Sequence, residues 1–279
     1  MAKASDASIL PRVPTGVPAL DETLGGGLPK GSVVFVTGLP GTGKTILCQQ
    51  VMWTNALKGE TIVYFSTLSE PMVKMLRFAQ AFRFFDHDLI GKNIIYGDLG
   101  DALLRDGSAA ALETLERFVQ DHRPDVLVID SFKAMRDAFG ERIEFRKFAS
   151  AIIQRLNTWE VTTLLVGEYN EQDIRDDPEF SIADGILYLY GTEEARRQKR
   201  MLRIMKMRGT DVFGGEHLFE ITSDGVTLFP RMSPAIVGEY TFTGQRIGSV
   251  IAGLDGMLGD GVFESTSTLI AGMTGAGKT

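Results

Sequence analysis

Cysteine is nearly absent. Cys48 is the only one in 279 residues, so no disulfide framework can form within the chain. Its place, on the helix expected after a glycine-rich turn, reads as a small buried apolar side chain. Long apolar runs are missing too: nothing approaches the ~18 residues that a membrane span needs, and residues 1–12 lack the apolar centre of a secretion signal. Together these absences imply a cytoplasmic protein with no membrane contact. Positive charge is in deficit, with 29 Lys and Arg against 36 Asp and Glu and a net charge of −7. No chain-wide basic field exists to collect nucleic acid, so none is expected as a partner. Apolar residues are plentiful: 44%, with 23% charged, supports a large core and excludes a disordered chain.

Against this ordinary composition one stretch stands out. Gly38-Leu39-Pro40-Gly41-Thr42-Gly43-Lys44-Thr45 fits the phosphate-binding pattern GxxxxGK[ST], directly after the β-branched run 33–36 and before a helical pattern. The glycines let backbone N–H groups turn inward, and the following helix brings its positive dipole end to the same point. The expected nucleotide-binding stretch is Gly38 to Ile46. Lys44 would neutralise the β and γ phosphates of ATP, and the Thr45 hydroxyl would sit on a bridging Mg²⁺. Asp130 ends the apolar run 126–129 and has the place of the carboxylate that holds Mg²⁺ opposite Thr45. A strand-end Asp that caps a loop is the bland alternative.

Residues 1–12 are small and polar and read as a mobile arm; 15–31 are turn-rich and read as a lid or collar outside the core. Apolar periodicity predicts helices over 44–57, 70–82, 109–120 and 143–159, with strands over 33–36, 61–66, 93–96, 126–129 and 162–167, and a loop over 98–108. Four further strand-like runs, 185–190, 200–207, 217–221 and 226–229, have no helices between them, and 192–199 reads as a tight connection. The predicted class is α/β: a mostly parallel sheet with helices on both faces and antiparallel strands added at the C-terminal edge. Residues 13–231 form this domain and 232–246 a linker. Leu20, Asp21, Leu24, Gly25, Gly27, Gly38, Gly41, Gly43, Lys44 and Thr45 then recur at constant offset as Leu254, Asp255, Leu258, Gly259, Gly261, Gly272, Gly275, Gly277, Lys278 and Thr279. Residues 247–279 therefore read as the opening of a second copy, and without a helix after its loop this copy is not expected to bind nucleotide.

The element order, the stretch GGGLPKG, the tail Lys206-Met207-Arg208-Gly209-Thr210 and the following HLFEIT and DGV resemble the KaiC family of RecA-superfamily ATPases, which includes the cyanobacterial clock protein and many relatives outside the clock. The resemblance covers 13–231 and the repeat from 247. It implies a RecA-like fold and a ring, usually a hexamer, with ATP between neighbours. Lys206 and Arg208 would reach across to the γ-phosphate, with Met207 and Thr210 beside them at the nucleotide. The family also carries two adjacent glutamates after the second strand, one of them the water-activating base. Here Thr67-Leu68-Ser69-Glu70 stands at that place, so one acid is missing and slow hydrolysis is expected. Glu70 would substitute as base, or be a helix N-terminal acid favoured by the dipole. Glu168, at the end of strand 162–167, is either a γ-phosphate sensor or a loop acid with a local hydrogen bond. The implied output is regulation or signalling through protein partners. Autokinase activity, which in the family belongs to the second domain, is not expected. A DNA recombinase or helicase on the same core is the alternative, and the acidic balance of 170–178 argues against it.

Overall fold

Unbroken apolar runs need cover on both faces of a strand, and the runs 33–36, 126–129 and 162–167 lie side by side within one nine-stranded sheet. In the computed structural model, which describes residues 10–68, 72–194, 197–231 and 243–277, the first unit orders as follows. It begins β1 (Arg12–Val13), α1 (Pro18–Thr23), β2 (Leu28–Pro29), β3 (Val33–Gly38), α2 (Lys44–Ala56), β4 (Ile62–Ser66), α3 (Met72–Ala79) and β5 (Ile94–Asp98). It continues α4 (Leu99–His122), β6 (Val126–Asp130), α5 (Arg142–Trp159), β7 (Thr162–Gly167), α6 (Glu171–Asp176), α7 (Glu179–Ile182), β8 (Gly185–Glu194), β9 (Arg197–Met207), β10 (Glu216–Thr222) and β11 (Gly225–Phe229). Sheet order is β11-β10-β9-β8-β3-β7-β6-β4-β5. The strands from β8 to β5 run parallel, and β9, β10 and β11 are added antiparallel at one edge. Of the four runs expected as antiparallel additions the first, β8, instead pairs parallel with β3, because α6 and α7 carry the chain back across the sheet before it. β3 alternates its cover: Val34 and Val36 share a core layer with Leu47, Val51 and Trp53 of α2, whereas Val33 and Phe35 share the other with Phe145, Phe148 and Ile152 of α5. The chain leaves β3 for β4 on one side and comes back to β8 on the other. Strand order therefore reverses at β3, and its C-terminal end opens on a crevice.

Three expectations are corrected. The segment 15–31 is core, not lid: Val17, Leu20, Leu24 and Leu28 are 0–1% exposed in the layer that holds Trp53. A six-residue helix between glycine-rich turns holds too few residues to show a period, which is why the sequence hid it. Leu20→Ala is expected to cost about 2–5 kcal/mol in a denaturant titration, the range for truncating a fully buried leucine; a loss under ~1 kcal/mol would return the collar to the periphery. The predicted arm is shorter than 1–12, because Arg12 and Val13 pair with Pro29 and Leu28. The predicted loop 98–108 is helical: the Asp98 side chain caps α4 by accepting from Asp101 N–H at 3.0 Å, and Leu99 and Leu103 are buried. Gly107, at φ +84°, kinks that helix, and this break in period is what read as a loop end.

The chain divides into two compact units after Arg231. In the second, β12 (Arg246–Ile247), α8 (Ala252–Met257) and β13 (Val262–Phe263) repeat β1, α1 and β2 in the same register, Arg246 against Phe263 and Ile247 against Val262. Among its described residues no helix or strand follows Phe263, and Leu269 is 90% exposed. Lys278 and Thr279 lie outside the described residues. Among the described residues no helix is long and apolar enough to cross a membrane.

Candidate nucleotide-binding site

Two glycines dictate the turn after β3. A Cβ on Gly38 (φ +144°) would collide with the carbonyl oxygen of Leu189 on β8, and one on Gly43 (φ +102°) would lie 2.6 Å from Ile221 Cδ1. Between them, Thr42 Oγ1 and Lys44 Nζ each donate to the Leu39 carbonyl oxygen at 2.9 Å, which closes the loop, while Leu39 and Pro40 form its exposed rim. Gly43 gives α2 no side-chain cap, so the first N–H groups of that helix are offered to an anion. Burial pulls the Lys44 ammonium below the ordinary lysine pKa, against the opposing charges of Glu168 and Asp130. The loop walls a cleft of about 970 Å³, to which Gly41, Gly43, Lys44, Thr45 and Ile46 all contribute.

Asp130 faces the loop from the end of β6, two strands away. Its Oδ2 accepts from Thr45 Oγ1 at 2.8 Å and from Tyr64 Oη at 3.1 Å. Burial and the Asp130 charge hold the Tyr64 phenol well above its ordinary pKa, so it stays a proton donor to that carboxylate. The hydroxyl and carboxylate oxygens of Thr45 and Asp130 are the hard donors that Mg²⁺ prefers. Among the described residues no group of three or more His, Cys, Asp or Glu side chains gathers, so an ion there would take its other ligands from phosphate and water. Glu168 is exposed and lines the same cleft. Its carbonyl oxygen accepts from Lys133 Nζ at 2.6 Å, and that lysine also pairs with Asp173 at 2.9 Å. Glu70 lies outside the described residues. Thr67, just before it, exchanges two 2.9 Å hydrogen bonds with the backbone of Ser131 and so ties the ends of β4 and β6 together.

Sequence reasoning missed several lining residues. Lys133 and Arg136 stand three apart in the 3₁₀ turn Lys133–Ala138, where such neighbours stack on one side; two basic residues at that spacing directly after Asp130 were the available signal. Tyr64, Arg200 and Ile221 reach the cleft from β4, β9 and β10, and no local pattern marks them.

Lys206, Met207, Arg208 and Thr210 do not line this cleft. Gly185 pairs with Val34 on one side and Met207 on the other, whereas Leu189 pairs with Gly38. The basic tail therefore stands at the opposite end of the strands, roughly 13 Å of strand from the phosphate loop of its own chain. Lys206 Nζ donates to the carbonyl oxygens of Phe180 (3.2 Å) and Ser181 (2.9 Å), and Arg208 to those of Ser181 (3.3 Å) and the Asp184 carboxylate (3.4 Å). A bulge puts Met205 in the core layer of α5 and Met207 in that of α2, and such an extra residue re-aims the side chains after it.

A family model described as KaiC ATPase matches residues 13–233. The circadian clock oscillator protein KaiC of Parathermosynechococcus lividus is 27% identical over 295 residues, spanning 100% of this chain and 53% of its own length. KaiC 1 of Synechocystis is 28% identical over 285 residues, 96% of this chain and 53% of its own. The chain thus spans about half the length of the curated relatives it matches. A crystal structure of a KaiC-like protein from the hyperthermophilic archaeon Pyrococcus horikoshii superposes with a TM-score of 0.72 at 30% identity, covering 79% of this chain and 100% of that one.

Proposed function

The chain belongs to the KaiC ATPase family, and on that premise we propose that it forms a ring, a homo-hexamer, in which ATP held by one copy is hydrolysed slowly with residues of the next, serving regulation or signalling through protein partners in the cytoplasm. ATP binding by a RecA-like domain follows from the family itself. The observation that carries the ring is the placement of the basic tail. β9 offers Arg200 to its own cleft at one end and Lys206 at the other end, out of reach of its own phosphates. A residue pair so placed meets a γ-phosphate only on a neighbouring copy.

Within the site, the N–H groups from Gly38 to Ile46 and the Lys44 ammonium would hold the β and γ phosphates, and Thr45 and Asp130 would hold Mg²⁺. Bound Mg²⁺ would supply positive charge that offsets the charge of the phosphates. Glu168 or Glu70 takes a proton from the attacking water, and Lys206 and Arg208 of the next copy offset charge that builds on the γ-phosphate. A missing acid and a single base without its partner account for slow turnover.

The test is the mass of the assembly in solution with and without ATP and Mg²⁺, with phosphate release measured alongside. Hexamers that turn over ATP are expected. A monomer at saturating nucleotide would sink the ring. Ion pairs of Glu171 with Arg203, Asp173 with Lys133 and Asp177 with Arg142 neutralise much of the stretch whose acidity argued against nucleic acid. Titration with single-stranded DNA across salt therefore decides that point: tight, strongly salt-dependent binding would move the protein to the recombinase or helicase class.

A further inference from the structure

Arg12 ties the buried collar to the end of the basic tail. Its Nη1 donates to the carbonyl oxygens of Leu24 and Gly27, both at 3.4 Å, and to Thr210 Oγ1 at 2.5 Å; its Nη2 donates to the Gly209 carbonyl oxygen at 3.2 Å. Gly209 and Thr210 directly follow Arg208. The contact extends along the chain: Phe213 N–H donates to the Thr23 carbonyl oxygen at 3.2 Å, and a Cβ on Gly25 would stand 3.5 Å from Thr210 Cγ2. Gly209, at φ +67°, takes a left-handed turn that glycine adopts at little cost and can also leave at little cost, so what fixes its far side fixes the tail.

The second unit provides an internal control. Arg246 occupies the place of Arg12 in β12, and its Nη1 donates to the Leu258 and Gly261 carbonyl oxygens, both at 2.6 Å. Ser249 N–H meets Asp255 at 2.7 Å as Thr15 N–H meets Asp21 at 2.7 Å. The two arginine bonds within the collar thus belong to the collar wherever it occurs. The bonds to Gly209 and Thr210 are an addition of the first unit, where the collar bonds lengthen and the Thr210 bond is the short one. Such charge-assisted bonds are roughly twice as strong as neutral ones.

We propose that Arg12 is a positioning residue: it holds Gly209 and Thr210 so that Lys206 and Arg208 keep the orientation in which they meet a neighbour's ATP. This rests on the reading that the basic pair acts between copies.

Arg12→Ala is expected to lower kcat at least about tenfold with KM for ATP within about twofold of the parent, since a misplacement of about 1 Å can cost about 10²-fold. Arg12→Lys keeps the charge and one acceptor, and part of the activity should return. Arg246→Ala should match the parent in both constants. Mixed rings supply a readout that a collar defect alone would not give. Arg12→Ala subunits should recover activity with Lys44→Ala subunits and not with Arg208→Ala subunits, because only the first mixture contains an interface with both halves intact. A raised KM at unchanged kcat, recovery with Arg208→Ala, or loss of ATP binding and folding in both Arg12 variants would overturn the proposal and leave the arginine a staple of the collar. Recovery between Arg208→Ala and Lys44→Ala shows separately that the basic pair acts between copies; without it, that reading fails and the role of Arg12 falls with it.

Discussion

Arg208→Ala is expected to bind ATP with most of the parent's affinity and to lose turnover by ~10³ to 10⁵-fold, the contribution of an arginine supplied in trans to phosphoryl transfer. The size of the loss discriminates between roles. As a surface group, Arg208 bonds among the described residues to the Ser181 carbonyl and Asp184, with 58% of its side chain exposed. Removing an exposed ion pair of that kind costs about 0–1 kcal/mol of stability and leaves chemistry alone. An effect on turnover without one on affinity means the guanidinium acts where charge develops in the transition state. Mixing Arg208→Ala with Lys44→Ala subunits should restore part of the activity, since some interfaces then pair an intact phosphate loop with an intact tail. No recovery in rings shown by mass to be mixed would place both residues within their own subunit's chemistry or outside the chemistry altogether.

Replacing the base should give the second largest effect. A general base contributes ~10² to 10⁴-fold, and Glu168 and Glu70 compete for the role. Asp130 is engaged by Thr45 and Tyr64. Glu168 lines the cleft with an exposed side chain, and its charge is the largest electrostatic influence on Lys44. The backbone beneath it is pinned by Lys133. Glu168→Gln is therefore expected to lower turnover by at least about 10²-fold with ATP affinity close to the parent's. Parent-like turnover in Glu168→Gln, together with a loss of that size in Glu70→Gln, would give the role to Glu70. If neither substitution slows the enzyme, its activity is basal and needs no dedicated base.

The sequence by itself determined the phosphate loop, the strand and helix that flank it, Asp130 at a strand end and the repeat of the collar. Each of these is written in contiguous residues: a turn that only glycine tolerates, an apolar run that only a covered strand accommodates, a helix start directly after the turn. It missed the collar's burial and the first two turns of α4, where a short element or a glycine kink leaves no period to read. The tertiary structure alone decided what shares the cleft. Tyr64, Arg200 and Ile221 come to it from three strands whose order and register are set by packing between distant segments. It also separated two stretches that the motifs placed in one reaction. The antiparallel run of β9 carries Lys206 and Arg208 away from the loop of their own chain, and the bulge at Met205 sets where they point. Strand direction and register are properties of pairing between segments, and no local pattern in either segment contains them.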